Sequence, residues 1–128
     1  MTMKIERFED IKAWQEAKIL VNLIYKSVKN NKDLSNDLRL KSQITSAAIS
    51  IMSNIAEGFS RNSNKEFIRF LFISKGSIAE LQSLLHVCLD LKYVSNADFE
   101  NIYSHTELAA KLISKFISYL KEHLAKTQ

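Results

Sequence analysis

Ser63-Asn64-Lys65-Glu66 stands at the head of the run Phe67-Ile68-Arg69-Phe70-Leu71-Phe72-Ile73-Ser74-Lys75-Gly76-Ser77-Ile78-Ala79-Glu80-Leu81, whose apolar spacing is that of a helix. The serine and glutamate match a capping box, in which each side chain bonds the other residue's backbone amide. Phe67, Leu71, Ser74, Ile78, Leu81, Leu85 and Cys88 recur every three or four positions, which predicts one helix over about 63–91 with that seam facing inward. Between Phe67 and Ile73 every residue except Arg69 is apolar, so this part of the helix is hydrophobic almost all round. A helix in a four-helix bundle keeps one side wet, and the surplus Phe70, Phe72 and Ile73 is expected to meet another surface as an oligomer interface.

The same periodicity extends outward in both directions. Upstream, Ile11, Trp14, Ala17, Val21, Ile24 and Val28 predict a helix over about 10–30, which the polar stretch Asn30-Asn31-Lys32-Asp33 interrupts. Ser35 is expected to cap a second helix over about 35–58, with Leu40, Ile44, Ala47 or Ala48, Ile51 and Ile55 facing inward. Gly58 is expected to end that helix, because glycine adopts the left-handed conformation that other residues resist. Downstream, Ser95 can cap a helix over about 95–124 that uses Phe99, Ile102, Thr106, Ala109, Ile113, Phe116 and Leu120. Long helices joined by a few residues fold back on their neighbours, so residues 1–128 are read as one domain, an all-α, antiparallel up-down-up-down four-helix bundle. The first seven residues carry no strong periodic signal and are expected to be mobile.

Composition agrees with that reading. The chain has 128 residues, 46% hydrophobic and 25% charged, with no proline and only Gly58 and Gly76 as glycines, which is scarce turn chemistry for a sheet protein. No apolar run reaches the roughly 18 residues that span a bilayer, and the first residues lack the apolar stretch of a signal peptide. A cytoplasmic location is expected, and the lone Cys88, unable to form an internal disulfide, suits a reducing compartment. Charge is segregated: four bases and one acid lie between Arg61 and Lys75, and five acids and one base between Gly76 and Ala110. Such segregation can create a basic face.

The residues for catalysis are missing from the pattern. His86, His105 and His123 pair neither with one another nor with a carboxylate at ligand spacing on one helical face, and the Glu-x-x-His motifs of a di-iron bundle are absent, so no metal or cofactor is expected. Cys88 lies on an apolar seam, where a thiol packs as a small hydrophobe. There is no glycine-rich phosphate loop and no small-molecule site is expected. Mid-helix small residues cluster at Thr45, Ser46, Ala47, Ala48, Ser50 and Ser53 and again at Ser74, Gly76, Ser77 and Ala79. A mid-helix glycine costs about 1 kcal/mol relative to alanine, so Gly76 is expected where another backbone comes too close for a side chain. The cluster Asn54-Ile55-Ala56-Glu57-Gly58-Phe59-Ser60-Arg61 places polar groups beside the seam, with Arg61, Ser77 and Glu80 as their expected partners in a structural clasp.

Four stretches carry a resemblance: Phe8-Glu9-Asp10-Ile11-Lys12-Ala13-Trp14-Gln15-Glu16-Ala17, Gln43-Ile44 through Ala47-Ala48 to Ser50-Ile51, Asn54-Ile55-Ala56-Glu57-Gly58, and Gly76-Ser77-Ile78-Ala79-Glu80-Leu81. With these motifs the chain resembles the bacterial four-helix-bundle proteins encoded by intervening sequences of 23S ribosomal RNA genes, and is similar to accessory proteins of diversity-generating retroelements. The resemblance implies a left-handed bundle, assembly into a ring that is commonly a pentamer, no enzymatic activity, and structural roles for Asn54, Glu57, Gly58, Gly76, Ser77 and Glu80. Thr45-Ser46 departs from the pattern, since relatives often carry basic residues there, and the proline common in the first loop is replaced by Lys32-Asp33-Leu34. Charge and resemblance together give the functional expectation: a non-catalytic, self-assembling bundle that associates with RNA or a nucleoprotein through Arg61, Lys65, Arg69 and Lys75. The competing expectation is an oligomeric protein-interaction scaffold that never touches nucleic acid.

Overall fold

Each long periodic run is helical in the structure, a computed structural model that describes residues 5–127, with side chains as far as His123. The helices are α1 (Lys12–Asn30), α2 (Lys32–Asn36), α3 (Leu38–Ser60), α4 (Asn64–Asp90) and α5 (Asn96–Thr127), preceded by a 3-10 turn over Phe8–Asp10. There is no strand among the described residues. Residues 1–4 of the segment expected to be mobile lie outside the described residues. Within its remainder, Ile5 packs against the core and the Arg7 backbone amide donates to the Asp10 carboxylate at 3.3 Å.

Capping chemistry explains where the helices begin. Ser63 accepts from the Glu66 amide at 3.3 Å and Ser95 from the Asp98 amide at 3.1 Å, so the two expected serine caps start α4 and α5. Glu66 does not reach back to complete a capping box; its carboxylate holds Arg69 instead, at 3.2 Å. Ser35 caps nothing. Asn31 accepts from the Leu34 amide at 2.9 Å to start the short α2, and Asp37 accepts from the Leu40 amide at 3.1 Å to start α3. The extra turn exists because Leu34, only 1% exposed, can join the core from it.

Gly58 also departs from expectation. It does not end its helix: α3 continues to Ser60, no glycine has a positive φ, and Asn62 (φ 57°) takes the left-handed position. The reason for glycine is proximity, because a Cβ on Gly58 would lie 2.7 Å from the Phe70 Cβ and 2.9 Å from the Phe67 Cδ1.

The seam residues expected in the three longest helices are buried, each Leu or Ile contributing about 1.5–3 kcal/mol of apolar transfer. On α1 the inner face is turned slightly: Ala13, Leu20 and Ala17 are buried while Trp14 and Val21 are half-buried. Trp14 sits edge-on to Phe8, with ring centroids 5.2 Å apart, and Gln15 donates to the Glu9 carbonyl at 2.9 Å, so the first family-like stretch is a latch that fixes the entry to α1.

Helix α3 packs on α4, α4 on α5, and α1 on both α3 and α5. Buried Ser74 donates to the Ile51 carbonyl at 2.7 Å, Gln82 donates to Thr106 at 3.0 Å, and the rings of Phe67 and Phe116 meet edge-on at 5.1 Å. At the far end the Tyr93 hydroxyl donates to Asp37 at 3.1 Å, tying the α4–α5 turn to the start of α3; burial, then this bond, raises the Tyr93 pKa.

Cys88 is fully buried, and burial, with a smaller contribution from Asp37, pushes its thiol up to about 11. Roughly one thiol in a thousand is then ionised at pH 8. The folded protein is expected to resist a thiol reagent at pH 8 and to react fully in denaturant; rapid modification of the native protein would contradict this environment.

Candidate functional site

The polar cluster expected at the end of α3 divides into two parts. Asn54 donates to the Ser50 carbonyl at 2.8 Å and to the Ser50 hydroxyl at 3.0 Å, and Ser50 and Ser77 share a hydrogen bond of 2.8 Å across α3 and α4. Asn54 and Ser77 thus belong to one inter-helix clasp, which satisfies groups that burial would otherwise penalise. Glu57 is not in it: its carboxylate is exposed and pairs with Arg61 at 2.8 Å. Glu80 is exposed and stands outside the network.

The four cations expected to hold nucleic acid occupy two different environments. Arg61 pairs with Glu57 and Arg69 with Glu66, whose carboxyl this bond holds below its ordinary pKa. Both guanidinium groups also lie over the Phe70 ring, 5.0 and 4.6 Å from its centroid. Lys65 is exposed and in no ion pair among the described residues, and Lys75 stands 5.9 Å from the Phe72 ring. Lys75 lies to one side of the Lys65–Arg69 row, six positions beyond Arg69, and helical geometry turns it well away from that row.

The apolar surplus of α4 is likewise divided. Phe70 is not part of it, being 6% exposed and pressed against Gly58, so its role is internal. Phe72 and Ile73 remain 48% and 41% exposed. They continue along the outward face of α4 through Gly76, Ala79 and Ser83 to Val87, all exposed, at helical steps of three and four. Exposed Glu80, four positions after Gly76 and three before Ser83, lies on the same face.

Gly76 corrects an expectation. No atom of another element lies within 4 Å of where its Cβ would be, so no neighbour within the chain requires a glycine there.

Sequence reasoning also missed a pair. Glu16 of α1, 8% exposed, hydrogen-bonds His105 of α5. The two are 89 positions apart, so spacing along one helix could not reveal them. Glu16 sits at an inward position of α1, and that was the available signal. The described residues contain no group of three or more His, Cys, Asp or Glu that could hold a metal ion, and no helix is long and apolar enough to cross a membrane. A recess of about 230 Å³ at the turn end is lined by polar residues including Lys26, Asn30, Lys92 and Ser95.

These features define a small helical bundle whose outer surfaces, more than any enclosed pocket, are its chemically distinctive parts. The chain belongs to the 23S rRNA-intervening sequence protein family, whose model matches residues 9–115. A solved protein of unknown function from the S23 ribosomal protein family of Bacteroides thetaiotaomicron VPI-5482 has a similar fold, with a TM-score of 0.73, 22% identity, and coverage of 82% of this chain and 97% of that one. No curated protein matches the sequence.

Proposed function

We propose that this chain is a non-catalytic, self-assembling module, one antiparallel up-down-up-down, left-handed bundle domain that works in the cytoplasm and associates with RNA or a nucleoprotein. The observation that carries the reading is the outward face of α4. It exposes Phe72, Ile73 and Val87 around a glycine that nothing within the chain requires. A glycine that costs helix stability and a set of exposed apolar side chains beside it are both accounted for if a second copy packs there.

The opposite residue order of the inter-helix contacts supports the antiparallel arrangement: Gly58 lies by Phe67 and Phe70, Ile51 by Ser74, and Ser50 by Ser77. The motif resemblance favours a ring of about five subunits over a dimer, and a ring repeats any basic surface around its circumference. The family's link to ribosomal RNA genes and the net charge of +4 favour RNA as the partner.

Salt dependence tests the RNA half. Binding to a structured RNA is expected to weaken steeply between 50 and 200 mM salt, because each neutralised phosphate releases counterions. Absence of binding, or binding indifferent to salt, would leave the protein-interaction scaffold as the function.

A further inference from the structure

Helix α1 carries more unpaired positive charge than α4. Helix α1 carries Lys12, Lys18, Lys26 and Lys29, all exposed, and none is in an ion pair among the described residues. Its sole acid, Glu16, is turned inward and taken by His105. The outward face of α1 is therefore cationic with no neutralising carboxylate of its own. On α4, by contrast, Arg61 and Arg69 each have a glutamate partner.

Net charge per length is similar in the two stretches, 7 − 3 = +4 over the 30 residues from Lys12 to Lys41 and 4 − 2 = +2 over the 19 from Glu57 to Lys75, and the difference lies in how the acids are engaged. Of the three acids near α1, Glu16 is buried and Asp37 is occupied in capping α3 and accepting from Tyr93.

The row also has an aromatic in it. Lys18, Asn22, Tyr25 and Lys29 follow at steps of four, three and four, which aligns them along one side of the helix over about 16 Å. Tyr25 is 47% exposed with its ring accessible from solvent. Cations that follow a backbone, with an exposed aromatic between them on which a base can stack, are the arrangement by which single-stranded nucleic acid is held without sequence preference. Helix α1 packs on α3 and α5 and lies diagonally across from α4, so an RNA on α1 and a second copy on α4 do not compete.

We infer that the outward face of α1 is the RNA track, with Lys18, Lys26 and Lys29 neutralising the phosphates of a single-stranded segment and Tyr25 stacking on a base. This rests on the RNA reading above and specifies its surface and substrate class.

The test uses the full chain and a 20-nucleotide, unstructured, mixed-sequence RNA, titrated by fluorescence anisotropy between 50 and 200 mM salt. Three phosphate contacts on a single strand account for a loss of roughly twentyfold over that range in the wild type. The variant K18Q/K26Q/K29Q, altered only at exposed positions, is expected to bind at least about tenfold more weakly at 50 mM and to show a log–log salt slope shallower by about two. Tyr25→Ala is expected to weaken binding about tenfold with an unchanged slope. K65Q/K75Q is expected to lose less of the slope than the α1 variant.

Wild-type binding that survives in the α1 variant but fails in K65Q/K75Q would overturn the placement while leaving the RNA reading intact. No binding by the wild type would remove both. An α1 variant that loses assembly mass in light scattering would show that α1 is covered by another copy, and would also overturn the proposal.

Discussion

Gly58→Val is expected to lower the stability of the protein by about 3 kcal/mol, seen as a fall of about 10 °C in melting temperature at fixed protein concentration. The first added carbon would lie 2.7 Å from the Phe70 Cβ, an atom anchored to the α4 backbone that cannot rotate away. The neighbouring Phe67 Cδ1, at 2.9 Å, is itself held between Phe59 and Phe116. Overpacking of this kind typically costs about 1–3 kcal/mol, and valine adds two methyl groups beyond the clashing atom. Removing a mid-helix glycine returns only about 0.5 kcal/mol of helix propensity, so the clash prevails. Gly76→Ala has no clash within the chain and is expected to leave the intrinsic stability of the helix unchanged or raised. Equal melting temperatures for Gly58→Val and the wild type would contradict the close approach of α3 and α4.

Phe72→Asp is expected to convert the assembly to folded monomers. Within one chain the substitution is mild, since Phe72 is 48% exposed and the Lys75 and Lys121 ammonium groups lie 5.9 and 5.3 Å from its ring, placed to receive a carboxylate. Between two copies it places an ion in a desolvated contact, where a poorly compensated charge costs several kcal/mol. Gly76→Leu is expected to act in the same way by size, because it fits the isolated chain and blocks close approach by a neighbour. Helical circular dichroism with reduced mass in both variants is the expected result. Retention of the wild-type mass in both would remove α4 from the interface.

Much of the fold was legible because burial follows helical periodicity, and each seam residue named for α4 and α5 is buried. Boundaries that depend on local competition were less legible. Ser35, Asn31 and Asp37 can all cap, and which of them did so was settled by the tertiary position of Leu34. Neither glycine has the role read for it. Sequence shows that a glycine is present but not what stands opposite it, so Gly58 read as a terminator and Gly76 as the tight contact. The binding surface was read from charge counted along the chain, which favours the segment after Arg61. Counting by helical face gives α1 greater weight, because it removes the inward Glu16 and reveals that Arg61 and Arg69 have carboxylates within reach.

Self-assembly through α4 is the central claim, and the mass of the wild-type protein in solution tests it most directly. Light scattering at low micromolar concentration is expected to give a mass several times the 14.7 kDa of one chain. A value equal to one chain would contradict the claim, and with it the idea that a basic track is repeated around a ring.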